Sequence, residues 1–260
     1  VGGAWLTGRL IAGAHLAFGV KAFYVEHNLT TAPPALAASA ARASLPRVYR
    51  TIAEVDLALL QDLLAKPGQT AEAVRLRFQE LAGSAVSNAR LATERGPEDY
   101  RNFLTLGAVY RALLPLGFPE ANNLAESAYQ TAITLAPHIP TIYLERARLA
   151  LVRKDSSAVE KWLTSALAEK PNSSQLWYEL GWFQYQEGRN EEAITAFGRA
   201  LEIDPYFSNA RYLLASSYER LGNREAALAA FEQVFLANPE RTDLREIIER
   251  LRDSLPNSHG

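Results

Sequence analysis

The chain has 260 residues, 48% of them apolar, enough to bury a large core as one extended array or as two ordinary domains. A net charge of −2 and a pI near 6.2 leave no global basic field to recruit nucleic acid. Cysteine is absent, which removes disulfides, thiol catalysis and thiolate metal sites together. Methionine is absent too and the chain opens on Val1, so a processed chain or a piece of a longer one is expected, with a cleaved secretion signal as one origin.

Residues 1–26 are the most apolar part. The run over residues 10–20 is interrupted only by His15 and flanked by Arg9 and Lys21, and it is shorter than the roughly 20 residues that span a bilayer. Ala4, Gly8 and Ala12 recur at every fourth position, as do Gly13 and Ala17, a spacing that suits close helix–helix contact in lipid or in protein. A buried helix, a contact between molecules and the tail of a membrane segment all fit. Residues 27–46 carry a Thr-Ala-Pro-Pro start, an Ala-rich run and a stop at Pro46, and complete a degenerate first hairpin over 1–46.

Residues 47–66 read as a helix with Val48, Ile52, Val55, Leu59, Leu60 and Leu63 inward. Pro67-Gly68 breaks it, Thr70 caps the next, and Val74, Phe78, Leu81, Ala85 and Ala89 form the inward side as far as about Ala92. This long-armed hairpin occupies 47–96. Four hairpins then follow over 97–241, at 97–139, 140–173, 174–207 and 208–241. The first shows Phe103, Leu106, Gly107 and Tyr110, then Ala125, Tyr129, Ala132 and Pro137; the turn between its helices, LLPLGFPEANN, is about six residues longer than in the others. The second shows Tyr143, Ala147 and Ala150, then Val159, Leu163, Ala166 and Pro171.

The last two superimpose on a shift of 34 residues: Leu180 on Leu214, Gly181 on Ala215, Gly188 on Gly222, Ala193 on Ala227, Phe197 on Phe231 and Pro205 on Pro239. Trp177, Leu180, Gly181 and Gln184 share one helix face. Gly188 suits a left-handed C-cap, and Asn190 is expected as the next N-cap. Small Gly181 and Ala193 let two helices approach, Phe197 fills the wedge beside them, and Pro205 ends the second helix. Residues 242–260 hold a final helix, TDLREIIERLRDSL, whose apolar stripe of Leu244, Ile247, Ile248, Leu251 and Leu255 covers the last repeat.

A period of 34 with Trp177-x-x-Leu180-Gly181, Ala193, Phe197, Ala200 and Pro205 resembles the tetratricopeptide repeat (TPR) family. The family usually has an aromatic where Gln184 stands. The resemblance implies an all-α, right-handed superhelical TPR solenoid of about six helical hairpins plus a C-terminal capping helix. It also implies a concave groove lined by first helices, which here receives Tyr178, Trp182, Tyr185, Tyr212, Arg148 and Arg111. Aromatic clusters with nearby arginine are typical interface anchors; burial against neighbouring repeats is the alternative. The Lys/Asn clamp of chaperone-binding members is not present. The tail and the repeat with the long turn further resemble extracytoplasmic TPR regions of bacterial O-antigen-ligase-like membrane proteins, over roughly residues 46–252. That likeness implies an extracellular or periplasmic location, with membrane proximity at the N-terminus.

No catalytic residue, metal site or cofactor is expected. His15, His27, His138 and His259 have no partner at ligand spacing, and no phosphate-binding or nucleophile-elbow motif occurs. Glu191, Glu192 and Glu225 lie at helix starts, where they complement the dipole. Two partner classes remain. One is the chain itself, a homopolymer growing head to tail as an extracellular filament, with Trp5, Leu10, Leu16 and Phe18 at one end meeting Leu244, Ile247, Ile248 and Leu251 at the other. The second is a protein or peptide held in the concave groove, as in an adaptor or an extracytoplasmic scaffold.

Overall fold

The computed structural model describes residues 45–65 and 70–255, together with Ala38. The hairpin expected over 1–46, with Trp5, Leu10, Leu16 and Phe18, therefore lies almost wholly outside the described residues. The chain forms two compact units that divide between Lys154 and Asp155. The division runs through the predicted 140–173 hairpin.

Among the described residues every regular element is helical. In the first unit these are α1 (Pro46–Ala65), α2 (Ala71–Arg95), α3 (Tyr100–Leu113), α4 (Ala121–Leu135) and α5 (Pro140–Val152), with a 3₁₀ turn at Leu114–Leu116. The second unit holds α6 (Ser156–Glu169), α7 (Ser174–Gln186), α8 (Asn190–Ile203), α9 (Ser208–Arg220), α10 (Arg224–Ala237) and α11 (Thr242–Asp253). Within each unit, helices adjacent in sequence pack against each other, and first helices of successive pairs also touch: α1 with α3 and α3 with α5 in the first unit, α7 with α9 in the second.

Helix ends follow from single residues. α4, α6, α8 and α10 each stop two residues before a proline (Pro137, Pro171, Pro205, Pro239), because the residue preceding proline is driven out of helical backbone. Thr70, Asp99, Asp155, Ser173 and Asn223 cap helix starts by accepting a backbone N–H. Asn190 does not. The N-cap position of α8 is Arg189, which makes no side-chain cap; Asn190 is already inside the helix, and its Nδ2 donates to the Gly188 carbonyl. α2 runs to Arg95, past the expected end at Ala92, and closes where the Gly96 N–H bonds the Ala92 carbonyl.

Packing follows the small residues. A Cβ added at Gly107 would stand 2.4 Å from the Tyr129 ring, and one at Gly181 would stand 2.8 Å from Phe197. Tyr129, Phe197 and Phe231 are fully buried, each wedged between the two helices of its own hairpin. Val48, Val55, Leu60, Leu63, Leu81, Ala85 and Ala89 are buried as expected, while Ile52, Leu59, Val74 and Phe78 are only partly so. The N-terminus of α3 is held by a polar node. Buried Asn102 donates to the carbonyls of Ala92 and Gly96, and Arg50 Nη1 bridges Asn102 and Asp99 at 2.9 Å each.

Candidate functional site

In the second unit, Tyr178, Trp182 and Tyr185 sit at i, i+4 and i+7 of α7, on one face. None is fully exposed and none is buried. All three pack on a cluster formed by Ala193, Phe197, Ala200 and Ala210. Tyr178 lies 4.9 Å from the Phe207 ring and 6.0 Å from Phe197. Burial, and then the neighbouring Glu179 charge, raise its phenol above the ordinary value. Arg220 spreads its guanidinium 3.5 Å over the Tyr185 ring and donates to the Tyr185 carbonyl at 2.8 Å.

One repeat on, the same geometry recurs with altered partners. Tyr212 meets Phe231 edge-on at 5.5 Å, and Arg241 stands 5.0 Å over the Tyr212 ring, the place one period on from Phe207. Glu219, one period on from Tyr185, pairs with Arg250 at 2.6 Å. This face therefore passes from aromatic to charged within a single repeat.

In the first unit, the other two expected groove residues meet on a third that the sequence reading passed over. Arg111 Nη2 approaches Glu145 Oε2 at 3.1 Å and Arg148 Nη1 approaches Glu145 Oε1 at 2.7 Å. The Tyr129 hydroxyl also donates to Glu145 Oε2, at 3.4 Å. The Glu145 side chain is only 10% exposed, and two guanidinium groups offset the cost of burying it. Burial alone would lower the Arg111 basicity; the Glu145 carboxylate and the Tyr129 phenol outweigh it and leave Arg111 raised. Burial, followed by the Glu145 charge, drives the Tyr129 phenol well above its usual range. Arg146, one residue on, is buried as well and is held by Glu126 and Gln130. These contacts form a network of ion pairs within the first unit.

An apolar cleft of about 790 Å³ lies elsewhere in the first unit, between α2 and the α3–α4 corner. Phe78, Ala82, Gly83 and Val86 form one wall; Tyr110, Leu113, Phe118 and Leu124 form the other. Phe118 and Leu124 are 47% and 42% exposed. The long turn between α3 and α4 supplies Phe118 to this wall. The chain reverses through Gly117, at φ +83, and brings Phe118 opposite Phe78. The signal in the sequence was that long turn, and spacing alone did not say which way its side chains would face.

In the C-terminal stripe, Leu244, Ile248 and Leu251 are buried against Ala215, Phe231 and Val234, and Ile247 is left partly exposed. Of the residues named for a contact between molecules, Leu244, Ile248 and Leu251 thus pack into the chain's own core, because a final amphipathic helix has the last repeat as its nearest apolar surface. Leu236, beside them, is 79% exposed. Among the described residues no group of three or more His, Asp or Glu is placed to hold a metal, and no helix is long and apolar enough to cross a membrane.

Two family models described as Tetratricopeptide repeat match the chain, over residues 156–206 and 184–251. Residues 156–251 are tetratricopeptide repeats. The chain is 34% identical over 100 residues to the Peroxisomal targeting signal receptor of Saccharomyces cerevisiae, covering 38% of this chain and 16% of that protein. It is 33% identical over 118 residues to the receptor of the same name from Eremothecium gossypii, covering 44% and 21%. It thus spans about a fifth or less of the length of these relatives. Among solved structures, PilW, a type IV pilus biogenesis factor, superimposes with a TM-score of 0.65 at 14% identity, over 92% of this chain and 98% of PilW. PilF of Pseudomonas aeruginosa gives 0.63 at 13% identity, over 94% and 99%. A thermophilic TPR protein of Thermus thermophilus gives 0.62 at 19%, over 79% and 98%. At such identities the likeness is one of fold: an all-α TPR solenoid.

Proposed function

We propose that this chain is a non-enzymatic scaffold for protein–protein interaction, and that the α7–α9 face holds a peptide segment of a partner protein. The observation that carries this reading is the Tyr178–Trp182–Tyr185 stripe: three large aromatics, each partly exposed, on one helix face backed by a fully buried cluster. Such side chains offer large contact area at low entropic cost, and their support holds them ready. Arg220 and Arg241 flank the stripe and supply donors for the carbonyls or carboxylates of a bound segment. The partial relatives named as targeting-signal receptors support capture of a peptide, as does the repeat architecture. Selection from a displayed random-peptide library, followed by fluorescence anisotropy, tests it. The Trp182→Ala/Tyr185→Ala double variant should lose at least about tenfold in affinity while keeping its helicity and oligomeric state. Parent-like affinity in that variant would sink the reading.

A second reading, head-to-tail assembly into an extracellular filament, is favoured by two apolar side chains near the C-terminal end, the 79% exposed Leu236 of α10 and the partly exposed Ile247 of α11. The resemblance to extracytoplasmic regions of bacterial O-antigen-ligase-like proteins would place either function outside the cytoplasm, near a membrane. Negative-stain microscopy over a dilution series separates the two readings. Regular fibres dispersed by Leu236→Glu or Ile247→Glu favour assembly; discrete particles at every concentration remove it.

A further inference from the structure

The cleft between α2 and the α3–α4 corner is apolar, open and separate from the aromatic face. We propose that its occupant is a segment of this same chain, the apolar stretch over residues 10–20. Three observations on the molecule converge on it.

The first is where the outlying chain joins. Pro46, the first residue of α1, packs on Gly96, where an added Cβ would stand 2.9 Å from the Pro46 Cβ. Gly96 lies two residues beyond Glu94, which lines the cleft. The 44 residues ahead of Leu45 are thus tethered beside one end of the cleft. The second is reach. The α2 wall from Phe78 to Glu94 is about 24 Å long at helical rise. Residues 21–45 can span up to about 80 Å when extended, so residues 10–20 can lie anywhere along that wall. The third is complementarity. Phe78, Val86, Phe118 and Leu124 supply large apolar walls, whereas Ala82 and Gly83 leave a shallow floor, with nothing within 4 Å of where a Gly83 Cβ would stand. Residues 10–20 carry the converse, with Leu10, Ile11, Leu16 and Phe18 interspersed with Ala12, Gly13 and Ala17. Occupancy would cover both the exposed Phe118 and the most apolar run of the chain, each costly to leave in water.

The absence of cysteine makes the test clean, because any introduced pair is the sole thiol pair in the molecule. In the full chain, Gly83→Cys is combined with Gly13→Cys or, separately, with Ala17→Cys, and air oxidation is followed by mass spectrometry. Ser127→Cys, exposed on α4 and outside the cleft, replaces Gly83→Cys in the control. At least one Gly83 pair should close an intramolecular disulfide roughly tenfold faster than its Ser127 control, since docking raises the local thiol concentration above that set by the tether. Ser87→Cys, on the same wall, substitutes if Gly83→Cys lowers helicity. Phe118→Asp should bring the rate down to that of the control. Equal rates for cleft and control pairs overturn the proposal, and so do disulfides found only between molecules, which would assign the cleft to a second copy.

Discussion

Lys154 stands in left-handed backbone at φ 57, the same place in its hairpin that Gly188 and Gly222 occupy at φ +76 one and two periods later. A side chain there strains against the carbonyl that follows it, at a cost of about 1–2 kcal/mol, part of which glycine would return as unfolded-chain entropy. Lys154→Gly should therefore stabilise by roughly 0.5–1 kcal/mol and raise Tm by a few degrees; an unchanged or lower Tm in a thermal melt would refute the strain argument. Asp56 presents a different cost. It is buried at 7% exposure, where burial pushes its carboxyl above the ordinary 3.8; the hydrogen bond from Ser84 and the Arg77 charge pull it back in part, and Glu80 pushes it further up. A raised folded-state value means that the unfolded chain gives up this proton first. Stability from this group is then undiminished below pH 3.8, falls as pH climbs through the folded value, and stays reduced above it. Asp56→Asn, which keeps an acceptor for Ser84, should gain on the parent as pH rises from 3 to 7. Parallel Tm curves across that range would show that the carboxyl charge carries no penalty.

At the scale of the element, α11 has few core positions. With Leu244, Ile248 and Leu251 facing α10, it seals the last hairpin with one narrow stripe, and the remaining positions are mostly charged. Leu244 is fully buried, so Leu244→Ala should cost about 2–4 kcal/mol through lost transfer and cavity terms, read as a lower urea midpoint at unchanged m. A loss under about 1 kcal/mol would mean that α11 is a loosely held tail. The stripe was plain in the sequence from its spacing. Its packing as a cap follows from proximity: the last repeat offers Ala227, Phe231 and Val234 at zero chain-entropy cost for recruiting a partner.

For the whole molecule, repeats of this kind touch their sequence neighbours, so stability is distributed as a sum of local terms. Each unit has its own core, one around Tyr129 and the other around Phe197 and Phe231. Leu244→Ala should accordingly deprotect amides of α9 to α11 in hydrogen exchange while those of α1 to α4 keep parent-like rates. A uniform loss along the chain would instead mark one cooperative block.

What the sequence determined by itself is everything that repeats. The 34-residue period located Gly181 under Phe197, Gly188 at a left-handed turn and Pro205 two residues past a helix end, because each obeys a local steric rule that a neighbour in sequence can enforce. It also placed Tyr178, Trp182 and Tyr185 on one face. Tertiary structure alone decided the rest. Glu145 became the meeting point of Arg111 and Arg148, Asn102 became the node that ties α3 to the end of α2, and Phe118 turned back to wall a cleft with Phe78. Arg111 meets Glu145 across one 34-residue period and Arg148 meets it within α5, while Asn102 and Phe118 find partners at separations that no repeat marks; each depends on which charge or ring lies within reach once the hairpins have packed.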